Sequence, residues 1–365
     1  MTEKKRLLVF HPTVAPYRID YFNDLYEAFD CRICLQYENL KDQTFDYDSI
    51  SSQFRYVPQY LPQEGVKMRR EISRQLREFD PDIVMTCEFG PLTLQVLLYR
   101  FLHGKKYKVA VMTDDSYDMI ANGNDFSHRH RVARKLLAPK VDDAIVVDPK
   151  VAEWYQEQYG KGFFFPIIRE EHRAAETYRR ALPVSREYAW KYGLKGRPVV
   201  LTVSRMVDLK NLHRVIDAFE LTGSDAVLVM VGDGPERDGL MAQAAASGKE
   251  IIIPGRFEGD ELYAWYNLAS VFVLASYREP FGAVTNEALL AGCRAVISRN
   301  AGSSCLVGPT NGECVDPMDA GQIAGAIDRQ LSLSAVPELS EARGSLMGIS
   351  YAERMNALME KLNGL

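Results

Sequence analysis

Short apolar runs alternate with amphipathic stretches along most of the chain. Leu7–Phe10, Cys31–Tyr37, Asp82–Thr86, Tyr107–Met112 and Asp143–Val147 read as strands. Between them, Tyr17–Phe29, Val66–Phe79, Leu92–Leu102, Asp125–Leu137 and Val151–Tyr159 read as helices. The first of these places Ile19, Phe22, Leu25, Tyr26 and Phe29 on one helical face. Strands and helices that alternate in this way predict a parallel sheet covered on both faces. Residues 39–62 show no clear period and read as an irregular excursion. Residues 166–190 are charged, lack strand patterns and read as the passage between two domains. A second alternation runs from Pro198 to about Leu331, and Ser350–Leu362 carries a last helical pattern.

In an open parallel sheet, ligands gather beyond the carboxyl ends of the strands. Arg205, Gly232, Gly255 and Glu279 each follow an apolar run, so they are expected along one sheet edge. The stretch Ser276–Ser298 holds two carboxylates, Glu279 and Glu287, eight positions apart. Pro280 and Gly282 fit a turn, and Ala283–Leu290 fits a helix starting just past it. Glu279 then sits in the loop and Glu287 about one turn into the helix. The first N–H groups of that helix, at Ala283 and Val284, make a ready anion site, and Gly282 removes the Cβ that would block a phosphate. An anion beside two carboxylates needs cations. Arg205 and Lys210, past the strand pattern Val199–Ser204, are the candidates.

Glu-Pro-Phe-Gly-x4-Glu-Ala, together with Val-Ser-Arg-x4-Lys and Val-Gly-Asp-Gly-Pro-Glu upstream, resembles glycosyltransferase family four. The resemblance is dense from about Pro198 to Asp319; the N-terminal half resembles the family in layout alone. It implies an α/β protein of the GT-B fold, with two Rossmann-like doubly wound domains facing each other across a cleft. The expected divisions are residues 1–180 for the acceptor, 181–345 for the nucleotide sugar, and a C-terminal helix, 346–365, crossing back to the N-terminal domain. The implied activity is retaining transfer of a hexose-type sugar from a nucleoside-diphosphate sugar to a glycan or lipid-linked glycan. Front-face attack is favoured, with no metal and no cofactor, and a uridine donor is favoured over a guanosine one on family frequency. By the same resemblance Glu287 accepts from the ribose hydroxyls, while Glu279, with the N–H groups of Phe281 and Gly282 alongside, either orients the donor sugar or acts as a nucleophile, orientation being favoured. Arg205 and Lys210 neutralise the diphosphate, where charge develops in the transition state. Gly232 lines the nucleotide, and backbone near Arg256 reads the base. A non-catalytic sugar-nucleotide-binding protein and a nucleotide-sugar epimerase of the same fold are the alternatives. A hydride-transferring Rossmann enzyme is disfavoured, since no G-x-G-x-x-G follows the first strand.

The acceptor side is less defined. His11 and Arg18 lie in or just past the first strand-to-helix loop, with packing and a solvated helix face as their other readings. Asp114 and Asp115 follow a strand, at a place where many relatives carry a histidine. Adjacent carboxylates do not share a strand face, so contact with acceptor or donor sugar is preferred to metal binding.

Composition narrows this further. The chain has 365 residues, which favours two domains, and 47% hydrophobic residues supply sizeable cores. A net charge of −5 gives no global reason to expect nucleic acid. Neither a signal peptide nor a spanning apolar run is read, so a cytoplasmic enzyme is expected. Cys31 and Cys34 form a CxxC inside a strand-like run and are read as structural. The basic stretch His128–Lys135, with the second basic helix 66–79 in the same domain, is weighed as a contact for an anionic membrane surface against a solvated helix face.

Overall fold

The computed structural model describes residues 4–39, 45–63, 65–123 and 127–365. The chain forms two compact units: Met1–Ile167 with Ala352–Leu365, and Ile168–Tyr351.

The first unit is built on β1 (Arg6–His11), β2 (Asp30–Leu35), β3 (Gln59–Tyr60), β4 (Ile83–Cys87), β5 (Lys108–Thr113), β6 (Asp143–Val146) and β7 (Phe163–Phe164). All pair in parallel, in the order β3-β2-β1-β4-β5-β6-β7. The five strands expected from the apolar runs are present. The two edge strands, β3 and β7, are two residues each, too short to carry a period. Leu8, Phe10, Val84, Val109 and Val111 fill one layer against the helices Gly65–Phe79 and Pro91–Leu102. The helix Tyr351–Gly364 also belongs here. Arg354 donates to the Phe164 carbonyl, and Lys361 pairs with the buried Asp143 at 2.9 Å. Cys31 and Cys34 lie within β2, and burial pushes both thiols up, Cys34 to about 12. That suits a packing role. The expected helix start at Asp125, and residues 40–44 of the irregular excursion, lie outside the described residues.

The second unit holds β8 (Val199–Val203), β9 (Val227–Val231), β10 (Ile251–Gly255), β11 (Val271–Leu274), β12 (Arg294–Ser298) and β13 (Gly312–Val315), in the order β10-β9-β8-β11-β12-β13. β8, β9 and β11 are buried along their whole length, which explains their unbroken apolar sequences. The stretch read as an interdomain passage is instead mostly one helix, Glu171–Lys191. Ala174, Thr177, Tyr178, Ala181, Leu182, Ser185, Tyr188 and Ala189 form its buried face, packed on the helix Gly259–Leu268. Many of the residues between them are charged, which concealed the stripe. Asn267 fastens the pair by donating to the Tyr178 carbonyl at 2.8 Å.

Strand order reverses between β1 and β4 in the first unit and between β8 and β11 in the second. Residues leaving those four strands stand where an open sheet binds ligands. Among the described residues, no helix is long and apolar enough to cross a membrane.

Candidate functional site

In the second unit, three loops meet beyond the β8/β11 switch. The loop after β8 carries Arg205, then a single 3-10 turn, Asp208–Lys210. Two glycines hold it down. A Cβ on Gly232 would lie 1.9 Å from the Ser204 carbonyl oxygen, and one on Gly234 would lie 2.4 Å from that of Met206. Backbone bonds stitch the same seam: Met206 N–H to Asp233 O at 2.8 Å and Glu236 N–H to Met206 O at 3.0 Å. Gly-Asp-Gly is therefore a close-approach surface for the Arg205 loop. The Arg205 side chain is exposed, and among the described residues it has no hydrogen-bond or ion-pair partner.

Lys210 is fixed from its other side. Asn211, at φ +57°, donates from its amide to the carbonyls of Ala275 (3.0 Å) and Pro317 (2.7 Å), and Tyr277 N–H donates to Leu209 O at 3.0 Å. These bonds bind the Lys210 turn to the loop after β11. There Lys210 forms an ion pair with Glu279, both side chains being largely buried. The Asn300–Gly302 segment braces that loop from below. Gly302 N–H donates to Glu279 O, Ser303 N–H donates to Phe281 O, and a Cβ on Gly302 would lie 2.2 Å from the Pro280 carbonyl.

The helix Ala283–Leu290 starts where the sequence places it, with Gly282 as its N-cap at φ +90°. A Cβ on Gly282 would crowd Leu274, Glu279 and Ser303 at 2.8–3.1 Å. Among the described residues, the N–H groups of Ala283 and Val284 have no acceptor, so they are orphan donors of the kind that hold anions. Phe281 is buried beneath them.

Glu287 lies one turn further on and is 7% exposed. Tyr266 donates its hydroxyl to Oε2 at 2.8 Å, and Tyr178 donates to the Glu287 carbonyl at 2.7 Å. Burial pushes the Glu287 carboxyl above the usual carboxylate range, while the charge of Arg169 and the Tyr266 hydroxyl draw it back. Arg169 is itself stacked on Tyr263 and donates to its hydroxyl at 3.0 Å. One carboxylate oxygen is thus oriented by Tyr266, and among the described residues the other has no hydrogen-bond partner. Arg256, beyond β10, is exposed and paired with Glu258.

The expected acceptor-side residues of the first unit are arranged differently from one another. His11 packs edge-on against Phe22 at 5.1 Å and donates from Nδ1 to the Thr13 carbonyl. Burial, with the nearby Arg18 charge, lowers its pKa to about 3, so the ring is neutral near pH 7. Arg18 reaches Asp114 at 3.2 Å and is largely buried, which removes its reading as a solvated residue. Asp115 turns inward and is fully buried, taking Arg134 at 3.0 Å and the Tyr155 hydroxyl at 2.7 Å.

Two residues that sequence reasoning passed over join this group. Glu88, directly after β4, holds φ +62° and accepts from Thr113 Oγ1, Asp114 N–H and His130 Nε2 at 2.9–3.0 Å. Burial raises the Glu88 carboxyl; the His130 contact opposes that, and the charges of Asp114 and Asp115 add to it. Glu88, Asp115 and His130 each bring a ligand-type atom within 4.8 Å of the others. As the strand geometry implies, the two aspartates part, and Asp115 lies beside Glu88 and His130. The same space already receives Arg134, so positive charge is supplied there by the chain. Glu88 was findable by the rule that located Arg205, as the first charged residue past a switch-point strand. His130 carried no such signal.

Residues 184–344 match the family model of glycosyl transferases group 1. The chain is 32% identical over 182 residues to an alpha-D-kanosaminyltransferase of Streptomyces kanamyceticus, covering 48% of this chain and 45% of that one. It is 35% identical over 136 residues to the lipopolysaccharide core biosynthesis glycosyltransferase LpsE of Rhizobium meliloti, covering 36% and 39%. It thus spans less than half the length of these curated relatives. Among solved structures, HepE of Anabaena in complex with UDP-glucose superposes with a TM-score of 0.74 at 15% identity, over 99% of this chain and all of that one. A galactosyltransferase of the lipopolysaccharide outer core, WaaB, superposes with a TM-score of 0.62, also at 15% identity. These likenesses show a GT-B fold. The family match lies within the second unit, where the ion pair, the orphan N–H groups and Glu287 are found.

Proposed function

We propose that the chain is a glycosyltransferase that moves a hexose-type sugar from a nucleoside-diphosphate sugar to a hydroxyl of a glycan or lipid-linked glycan, with retention. The observation that supports it best is the second unit's loop cluster. The Arg205 side chain and the N–H groups of Ala283 and Val284, without partners among the described residues, are three donors suited to a diphosphate, and buried Glu287 beside Tyr266 is suited to vicinal hydroxyls. HepE was solved with UDP and with UDP-glucose, which favours a uridine donor here.

In this reading the departing diphosphate gathers charge as the glycosidic bond breaks, and Arg205 with Lys210 stabilises it. Electrostatic donors of this kind are worth about 10²–10³ in rate each. Glu279 holds the donor sugar's hydroxyls, its charge balanced by Lys210 until the diphosphate arrives. The acceptor proton passes to the leaving phosphate oxygen, so the step needs neither a metal nor a protein base.

The test is turnover. Release of nucleoside diphosphate from a panel of donor sugars, with the product's anomeric configuration read by NMR, should single out one donor and give the same anomer as the donor. Inversion would remove the retaining mechanism. Tight donor binding with no transfer to any glycan acceptor would select the non-catalytic alternative.

A further inference from the structure

The helix Pro91–Leu102 of the first unit is apolar on both faces. Leu92, Val96, Leu97 and Tyr99 face the core. On its outer side Leu94, Leu98, Phe101 and Leu102 follow each other at helical spacing, and are 44%, 48%, 82% and 72% exposed. Single exposed leucines are ordinary; a contiguous outer stripe of four large apolar side chains marks an interaction surface.

The neighbouring helix, Gly65–Phe79, supplies the charge. Its 15 residues hold five basic and two acidic side chains. The helices are fastened by Gln95, which donates to Arg69 O at 2.6 Å and to Ser73 Oγ at 3.2 Å. Arg74 is taken up by Glu71 and Glu78. Arg69 and Arg70 are exposed and have no ion-pair partner among the described residues. Arg77 is 70% exposed at its side chain, and the carboxylate paired with it, Glu78, is 3.9 Å away. Arg69, Arg70 and Arg77 line the groove between the helices together with Leu94 and Leu98.

We infer that this two-helix face is a docking surface for an anionic phospholipid bilayer. Leu94, Leu98, Phe101 and Leu102 enter the acyl boundary, and Arg69, Arg70 and Arg77 meet the headgroup phosphates. An apolar stripe flanked by exposed arginines has the composition of an interfacial helix pair. A symmetric contact with a second copy is disfavoured, because the same arginine row would face itself across the two-fold axis. The basic stretch His128–Lys135 is a poorer candidate: His130 and Arg134 turn inward to Glu88 and Asp115, and Arg131 engages His128. The inference goes beyond the transfer reaction and stands whether or not the donor-site reading holds.

The test uses the full chain and sedimentation with vesicles of phosphatidylglycerol mixed with phosphatidylcholine, against phosphatidylcholine alone. The expected result is partitioning to the anionic vesicles that weakens with salt. Phe101→Ser with Leu102→Ser should lower it about tenfold or more, and Arg70→Ala with Arg77→Ala roughly fivefold for each arginine removed. All four side chains are exposed, so the unfolding midpoint and nucleotide binding should not change. Equal partitioning to neutral and anionic vesicles, variants that bind as the parent does, or a dimer in solution that Phe101→Ser dissociates would each overturn it.

Discussion

Gly232 and Gly255 both lie at or just past a strand end and both hold positive φ, +150° and +106°. Alanine at either position meets backbone strain of order 1–3 kcal/mol. Their surroundings differ. A Cβ at 255 has no heavy atom within 4 Å, whereas one at 232 would lie 1.9 Å from the Ser204 carbonyl oxygen. That contact is with backbone, so relief requires moving the segment that carries Arg205, at a further ~1–3 kcal/mol for overpacking. Gly232→Ala should therefore cost about 2–6 kcal/mol, and Gly255→Ala about 1–3 kcal/mol. Urea unfolding of the second unit can be followed through Trp265, which is fully buried there, in a Trp154→Phe, Trp190→Phe background. Nucleotide affinity should fall with Gly232→Ala, because Arg205 moves, and fall less with Gly255→Ala. Equal losses of stability and affinity in the two variants would refute the role of the Gly-Asp-Gly turn as the surface that seats Arg205.

Glu287→Gln should separate stability from binding. A carboxyl whose folded pKa lies above its ordinary value of 4.5 favours the folded state below that pH, and loses this contribution as pH rises through the folded pKa. At pH 7 the glutamine variant should unfold at the parent temperature or above while losing nucleotide-induced stabilisation, as seen by thermal unfolding across pH. His11 has the opposite sign. With a folded pKa of about 3 against 6.5 unfolded, it contributes stability above pH 6.5 that is lost as pH falls toward 3, so His11→Phe should flatten the acid limb of the stability curve. Arg134→Leu leaves Asp115 buried with its cation removed and should cost about 3–5 kcal/mol, measured by denaturant unfolding, whereas Arg129→Leu on the exposed side of that helix should cost little.

Where a residue's position follows from its place past a strand, the sequence carried it. Apolar runs located β8, β9 and β11, and with them Arg205, Gly232 and Glu279 as edge residues. Pro280 and Gly282 located the helix start at Ala283, since a left-handed N-cap and a crowded Cβ position both demand glycine. What stayed hidden depends on contacts between distant residues. Glu88 and His130 lie 42 positions apart, and Tyr266 lies 21 positions before Glu287; neither pairing has a local signature. The helix Glu171–Lys191 was missed because charged residues interrupt its stripe of small and aromatic side chains. In the basic stretch His128–Lys135, His130 and Arg134 turn inward while Arg129 and Lys135 stay exposed. Charge counts along a sequence do not say which cations turn inward.

The central claim is that the second unit's loop cluster holds a nucleoside diphosphate. The most direct test is thermal unfolding of the full chain against a panel of nucleoside diphosphates and their sugars, with Arg205→Ala and Glu287→Ala alongside. A ligand at 100 times its dissociation constant adds about 2.7 kcal/mol, a shift easily read. The account predicts that one nucleotide raises the midpoint and that each substitution abolishes the rise without unfolding the protein. No rise with any nucleotide at millimolar concentration, or a rise that survives both substitutions, would contradict it.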